Sequence, residues 1–460
     1  VQSGPGALTL TAAQNLDTGT LTVSPGATLT LAPIVSNVPA YSTQDFTSIT
    51  VGSGATLNVA TVHTFGYAGG TRPSITINGG TVTNSLGNDN YLGAVTMTGG
   101  TINGTGEFRL QNNLSQTAST LTTLPSSTTA TVSVSSFALV SYYSNPVIFN
   151  ISQGTTTSGI DLLITSNIDN SANLTKIGPG VMEITGSDTY SGGTNVSGGT
   201  LILASSGAFP ANTPLALSGT GLVVAASHTG ATKNNIVALG LSISGGAGAW
   251  NGQLDLKNND MIVRGSNYSY TSGSNTYYGD ASLSDITSQA AEGYNGGAWN
   301  GSGGIVSSTA AADTTHLHAL GVISNDNGMN TGTALYTSFD GTATVEGDVL
   351  VKYTYYGDAN LDGKVDGTDY SRIDSAVLAN ESSPGSATGW FNGDFNYDGV
   401  IDGSDYTLID NAYNTQGAQI SAQVAASSAQ IAGVSAVPEP ATLGLLGMGA
   451  VGLLGRRKRR

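Results

Sequence analysis

Ten side chains in two short runs have types and spacing that could do chemistry. The first run is Asp358, Asn360, Asp362, Asp366 and Asp369; the second, 36 residues later, is Asp394, Asn396, Asp398, Asp402 and Asp405. Each repeats the pattern D-x-N-x-D-G-x-x-D-x-x-D, which sets oxygen donors at loop positions 1, 3, 5, 9 and 12. Position 7 adds a backbone carbonyl, at Lys364 and at Val400. Hard oxygen donors in this number suit calcium, and the duplication implies two ions, one per loop. Gly363 and Gly399 fall at position 6, where the chain turns sharply and a Cβ would be penalised.

Each loop runs into an apolar stripe: Tyr370, Ile373 and Val377 after the first, Tyr406, Ile409 and Tyr413 after the second, at the i, i+3, i+7 spacing of one helical face. Val365 and Ile401, at position 8, are placed to pair the two loops through a short strand contact. From about 357 to 416 the chain therefore resembles a type I dockerin, a duplicated calcium loop and helix without the entering helix of a full EF-hand. The resemblance implies calcium binding and a cohesin-like partner, read at loop positions 10 and 11. Dockerins commonly carry a Ser/Thr pair there and basic residues on the helix. Here the positions hold Gly367, Thr368 and Gly403, Ser404, and Arg372 is the one basic residue on either helix. Two readings stand: a partner-binding module using Thr368 and Ser404, or a calcium staple that folds the C-terminal end, which we favour.

Other candidate chemistry is sparse. Zero Cys excludes thiol catalysis, thiolate metal sites and disulfides. The net charge is −16, and five of the 14 Lys and Arg are the last five residues, so the rest is more acidic still and unsuited to nucleic acid. Glu107 and Arg109, two apart on one strand, form the best local pair, read as a surface ion pair. Asp161 and Glu183 would need to converge across coils to act on a glycan. His316 and His318 alternate onto one face but lack a third ligand, and Trp250 and Trp299 would either stack on sugars or plug a cap.

The elements that must position these residues are repetitive. Gly makes up 64 of 460 residues and charged residues only 10%, which suits many short strands joined by tight turns. A phrase Gly-x-Thr-apolar recurs with Thr at 28, 56, 81, 101 and 200. The drifting period of the first four is that of stacked supersecondary units, and apolar residues at alternate positions would point inward. The stretch from Leu174 to Leu203, through Lys176, Gly178, Gly180, Gly186, Tyr190, Gly192 and Thr194, resembles the autotransporter-associated β-strand repeat. That resemblance implies a right-handed parallel β-helix on a secreted or surface protein.

We therefore expect a mainly β chain: a right-handed parallel β-helix over 1–245, final coils and a β-rich cap over 246–352, and the small helical calcium module over 353–417. Strands are expected over Gln253 to Arg264, Leu317 to Ser324 and Val345 to Tyr355, with one helix near Leu283 to Ala291 and the module docked on the cap. Residues 418–436 read as a flexible linker. The chain begins at Val1 without an apolar leader, so a secretion signal is expected to have been removed. At the other end Pro438-Glu439-Pro440, an apolar helical run and Arg456 to Arg460 resemble a PEP-CTERM sorting signal. It implies an exosortase-type processing enzyme, a Gram-negative-type bacterium and transient inner-membrane anchoring. The expected role is structural or adhesive, in an exopolysaccharide layer or through self-association. The alternatives are a polysaccharide lyase or hydrolase, and a scaffold subunit recruited by a cohesin.

Overall fold

The Thr positions of the recurring phrase are successive rungs of one ladder: Thr28 pairs with Thr56, Thr56 with Thr81 and Thr81 with Thr101, all in parallel register. The structure, a computed structural model, describes residues 4, 6–11, 19–32, 46–66, 72–87, 89–111, 118–140, 145–229, 233–272, 275–326, 333–420 and 424–426. Alternate strands fall into two long sheets, one of 14 strands ending at Gly304–Val306 and one of 13 ending at His318–Ser324. Through the first half every pairing in both sheets is parallel, the arrangement of a β-solenoid.

Period-two sequence produces this stacking. In the first sheet Leu29, Leu57, Val82, Ile102, Val132, Ile164, Ile184 and Leu203 form a continuous inward ladder. In the second, Val23, Val51, Ile77 and Met97 do the same. All of these are buried, each contributing about 1.5–3 kcal/mol relative to exposure. The Thr neighbours at i±1 stay half-exposed on the outer faces. Glycine is required where coils touch: a Cβ on Gly80 would lie 2.4 Å from the Gly52 carbonyl one coil below.

The solenoid ends by changing strand direction. Strand Val349–Tyr355 runs antiparallel to Met261–Val263 and to His318–Ser324, so the second sheet finishes as a cap. A single strand over Gln253 to Arg264 was expected; instead Gln253–Asp255 belongs to the first sheet and Met261–Val263 to the second. The corner between them has Lys257 at φ 51°, and the buried Asn259 amide donates to the carbonyls of Ala226 and Leu256, each at 3.0 Å. Alternation stops at that corner, where Lys257, Asn258, Asn259 and Asp260 are four polar residues in succession. Helix α1 (Leu283–Tyr294) is capped by Ser282 and closes on strand Gly304–Val306 at Gly293, where a Cβ would sit 1.7 Å from the Ile305 carbonyl. A single turn, α2 (Ser308–Ala311), follows. The acidic loops then precede α3 (Gly367–Ser382) and α4 (Gly403–Thr415).

Part of the stretch read as a flexible linker is built into the cap: Val424–Ala426 pairs antiparallel with Tyr336–Phe339. The sorting segment with Pro438, Glu439 and Pro440 lies outside the described residues. Among the described residues no helix is long and apolar enough to cross a membrane.

Candidate metal centre

The two acidic loops fold alike because the same residues impose the same turns. Gly363 and Gly399 take φ 88° and 83°, and Leu361 and Tyr397, two residues earlier, both take φ 58°. In the first loop Asp358 accepts backbone N–H bonds from Asp362 at 2.9 Å and Gly363 at 2.8 Å. Asn360 accepts from the Asp362 N–H at 3.0 Å, and Asp362 from the Lys364 N–H at 3.2 Å. Asp369, from the first turn of α3, reaches back to the N–H groups of Ala359 and Asp366, each at 2.9 Å. The second loop repeats this set: Asn396 accepts from Asp398, Asp398 from Val400, and Asp405 from Phe395 and Asp402.

Position 9 behaves differently. Asp366 and Asp402 are the N-caps of α3 and α4, each forming a capping box with the aspartate three residues on. Their Oδ1 atoms accept from the backbone and hydroxyl of Thr368 and Ser404. Thr368 and Ser404 are thereby exposed but tied to the loop rims, and each hydroxyl also receives an amide N–H, from Asn360 at 3.3 Å and Asn396 at 2.9 Å.

Carboxylate charge is crowded in both loops. Asp358 is fully buried, and burial together with the Asp369 and Asp362 charges pushes its carboxyl well above the usual range. Burial pushes Asp369 up to about 7, and burial with the Asp405 and Asp398 charges pushes Asp394 up to about 6. The Oδ1 of Asp394 is buried without a hydrogen-bond partner. Among the described residues no three acidic or imidazole side chains gather around one point at ligand spacing, because these carboxylates engage the N–H groups of their own loops. The donor set is nevertheless all oxygen, multiply charged and short of positive partners, which is the chemistry a hard divalent cation offsets.

The duplication extends to packing. Tyr370 donates to Asp410 and Tyr406 to Asp374, both at 2.5 Å, so each helix holds the other through the same pair. A Cβ on Gly357 would meet Ile409 at 2.6 Å, and one on Gly393 would meet Ile373 at 2.6 Å. The strand contact expected between Val365 and Ile401 is replaced by a side chain: Gln416 accepts from the Val365 N–H at 2.8 Å and donates to its carbonyl at 2.7 Å. An amide carries the same donor and acceptor as a strand backbone, so Gln416 satisfies the loop alone.

The module sits on the cap. Tyr336 of the cap donates to the Asn360 carbonyl at 2.5 Å and Tyr397 of the module to the Leu320 carbonyl at 2.6 Å, while Trp390, which packs beside Gly321 of the cap, donates from its indole to the Asp358 carbonyl at 2.7 Å within the module. Trp299, buried, donates to the Tyr356 hydroxyl at 2.8 Å and packs edge-on against Tyr294 and Tyr397. It therefore plugs the junction and presents no face to a sugar; Trp250 bonds Ser288 on α1. Sequence reading missed this aromatic junction, whose members span residues 294 to 397 and share no local pattern.

The remaining candidates resolve individually. Arg109 bridges Glu107 at 2.7 Å and Asp89 at 3.4 Å, and Asp89 also meets His63 at 3.2 Å, an ion-pair row along one solenoid face. Burial raises the Glu107 carboxyl. Asp161 accepts from the Gly154 and Val181 N–H groups and so braces two coils. His318 bonds Asp313 at 2.7 Å and stacks on Tyr353 and Tyr355, whereas His316 lies before the strand at φ 53°, so the two do not share a face.

Comparison with known families agrees with this organisation. Residues 174–203 match the Passenger-associated-transport-repeat family, residues 356–414 the dockerin type I domain, and residues 436–460 the PEP-CTERM protein-sorting motif. No curated protein and no solved structure matches the chain. A dockerin type I domain typically binds calcium and implies a cohesin partner. The PEP-CTERM motif implies exosortase processing and a protein sorted to the cell surface.

Proposed function

We propose that this is a secreted surface protein with a structural or adhesive role, whose β-solenoid is closed at its C-terminal end by a module holding two calcium ions. The carrying observation is that the first loop is bonded to the cap, through Tyr336 to the Asn360 carbonyl and Thr354 to Asp358. In each loop the side chains at positions 1, 3, 5 and 12 and the carbonyl of Lys364 or Val400 hold the ion. Asp366 and Asp402, occupied as helix caps, reach it through water. The bound cation offsets the crowded carboxylate charge, so calcium stabilises the cap and the module together. Handedness of the solenoid is right-handed in this reading, and an exosortase removes the tail at Pro438-Glu439-Pro440 in a Gram-negative-type bacterium.

The test is to incubate residues 1–440 with acidic and neutral exopolysaccharides, with calcium and with chelator, scoring cosedimentation and new chain ends. Calcium-dependent cosedimentation without cleavage is the expected result. New chain ends would overturn the structural role and direct attention to Glu107 and Asp89.

A second reading, capture by a cohesin, is favoured by one feature. A groove of about 470 Å³ runs along α3 between Thr368, Ser371, Arg372, Ser375 and Asn392, open to a partner beside the loop rim. Replacing Thr368 and Ser404 with bulky charged residues abolishes calcium-dependent capture in this reading; unchanged capture would sink it.

A further inference from the structure

Four ionisable side chains that neither reading uses are sealed together where the last coil meets the cap. Lys233 precedes strand Ile236–Ile243, Asp260 precedes Met261–Val263, Lys352 lies on Val349–Tyr355, and Asp340 sits in the turn after Tyr336–Phe339. Their side chains are 4%, 1%, 0% and 7% exposed, so all four are out of water. Asp260 Oδ2 contacts the Lys233 ammonium directly and the Lys352 ammonium at 3.0 Å. Asp340 stands behind, with Oδ2 at 3.6 Å from Lys233 Nζ and Oδ1 at 3.7 Å from Lys352 Nζ. The Tyr353 N–H donates to Asp260 Oδ1 at 2.9 Å, and the Phe339 ring lies 5.2 Å from Lys352 Nζ.

We propose that Lys233 and Asp260 join in an intramolecular isopeptide bond when the cap closes, with Asp340 as the group that relays the proton. A buried ion pair needs every charge answered, and two ammonium groups with two carboxylates are electrically balanced but costly to keep dry. Condensation removes one charge of each sign. The Lys233 Nζ–Asp260 Cγ bond forms, the Cγ–Oδ2 bond breaks, and Oδ2 leaves as water with two of the three ammonium protons. Nothing is oxidised or reduced. The amide, the Lys352 ammonium and the Asp340 carboxylate remain, again balanced.

Each neighbour has a part. Lys233 must first give up a proton, and Asp340 stands nearest to receive it other than Asp260 itself. Burial and the Asp260 charge push the Asp340 carboxyl up to about 7, a value suited to taking a proton and returning it to the leaving oxygen. Negative charge developing on Oδ1 is met by the Tyr353 N–H, a fixed donor in a dry site. Lys352 is held as the ammonium, because the Asp260 and Asp340 charges outweigh its burial. It stays beside Oδ2 to assist departure. The Lys233 ammonium and the Asp260 carboxylate are already in contact, so the step draws on proximity. The product would tie together residues 27 apart at the capped end of the solenoid, in a chain with no Cys to do it otherwise.

The test is peptide mapping of the folded, purified full chain after denaturation and trypsin. The cross-link blocks cleavage after Lys233, so residues 177–257 appear joined to residues 258–264 at a mass lower by one water, and free 258–264 is lost. Lys233→Arg and Asp340→Asn should each restore free 258–264, whereas Lys352→Arg should retain the joined peptide. Recovery of free 258–264 at full mass from the wild-type chain would overturn the proposal. So would a water deficit confined to unjoined 258–264, which is an aspartyl succinimide, or a junction through Lys352.

Discussion

Replacing Gly321 with Ala should weaken the first calcium loop although residue 321 lies on the cap. Gly321 is in strand His318–Ser324, and a Cβ there would stand 2.6 Å from Trp390 Nε1 and 2.6 Å from Leu361 Cδ2. Trp390 is fully buried, and its indole holds the carbonyl of Asp358, the first residue of loop 1. Overpacking of this kind costs about 1–3 kcal/mol. Breaking the bond to a buried carbonyl adds about 1–3 kcal/mol. If half of that strain reaches the loop, calcium affinity at one of the two sites falls about tenfold, since 1.4 kcal/mol is a factor of ten. Trp390→Phe deletes the donor but returns space, so combining it with Gly321→Ala should cost less than the sum by about 0.5–3 kcal/mol. Gly403→Ala is the control, because nothing lies within 4 Å of its Cβ position. Calcium titration by calorimetry and thermal unfolding of the four proteins provide the readout. A Gly321→Ala protein with two unchanged calcium isotherms, or costs that simply add, would refute a module docked through Trp390.

Three other perturbations have defined outcomes. Asp369→Asn and Asp405→Asn should each abolish one calcium of two while leaving the other, measured as stoichiometry by calorimetry; two ions bound by either variant would exclude its position-12 role. Burial pushes Asp188 up to about 7, against about 3.9 for an unfolded Asp. Between those values the folded state keeps a proton that the unfolded state has lost, so stability declines as pH rises from about 4 to 7 and is flat above. Asp188→Asn should therefore stabilise the solenoid by about 2–4 kcal/mol at pH 8 and by nothing at pH 4, seen in denaturant midpoints at the two pH values. Lys176, fully buried, donates to the carbonyls of Gly178 at 3.0 Å and Gly198 at 2.8 Å. Lys176→Met leaves both unanswered and should cost about 1–3 kcal/mol, whereas an unchanged or higher melting temperature would mean the ammonium is not structural.

What could be read from the sequence was what repeats at short range. The Gly-x-Thr phrase announced a rung because one coil differs from the next only by translation, so Thr28, Thr56, Thr81 and Thr101 align in space as they do in sequence. The two acidic loops were legible for the same reason, each being a local turn of twelve residues. Contacts between distant segments were not. Nothing around Gln416 indicates that its amide replaces a strand for Val365, 51 residues away. Asp260 and Lys352 are 92 residues apart, and only the direction change of the cap brings them together. The split of 253–264 into two sheets did have a local sign, the polar run Lys257-Asn258-Asn259-Asp260, but period two says which face is apolar and not which sheet it joins.

The near-identical halves of the module are not used identically, and that asymmetry bears on its role. Asp358 and Asp394 are both buried, but the turn of loop 1 is enclosed where that of loop 2 is not: Gly363 is buried and its carbonyl accepts from the Ile420 N–H at 2.8 Å as the chain leaves the module, whereas Gly399 is exposed. Loop 2 lies open, with Asp398, Val400, Asp402 and Ser404 all exposed. A duplicated binding module free on a tether has no reason to bury one copy and bare the other. Docking supplies the reason, since the strand Val349–Tyr355 enters loop 1 almost directly and carries that loop into the cap. The turn of loop 1 is therefore held against the cap, while that of loop 2, with Ser404 at its rim, faces outward. The rim residue Thr368 and the groove along α3 belong to loop 1 and are exposed as well, so docking encloses the turn of loop 1 without closing its rim.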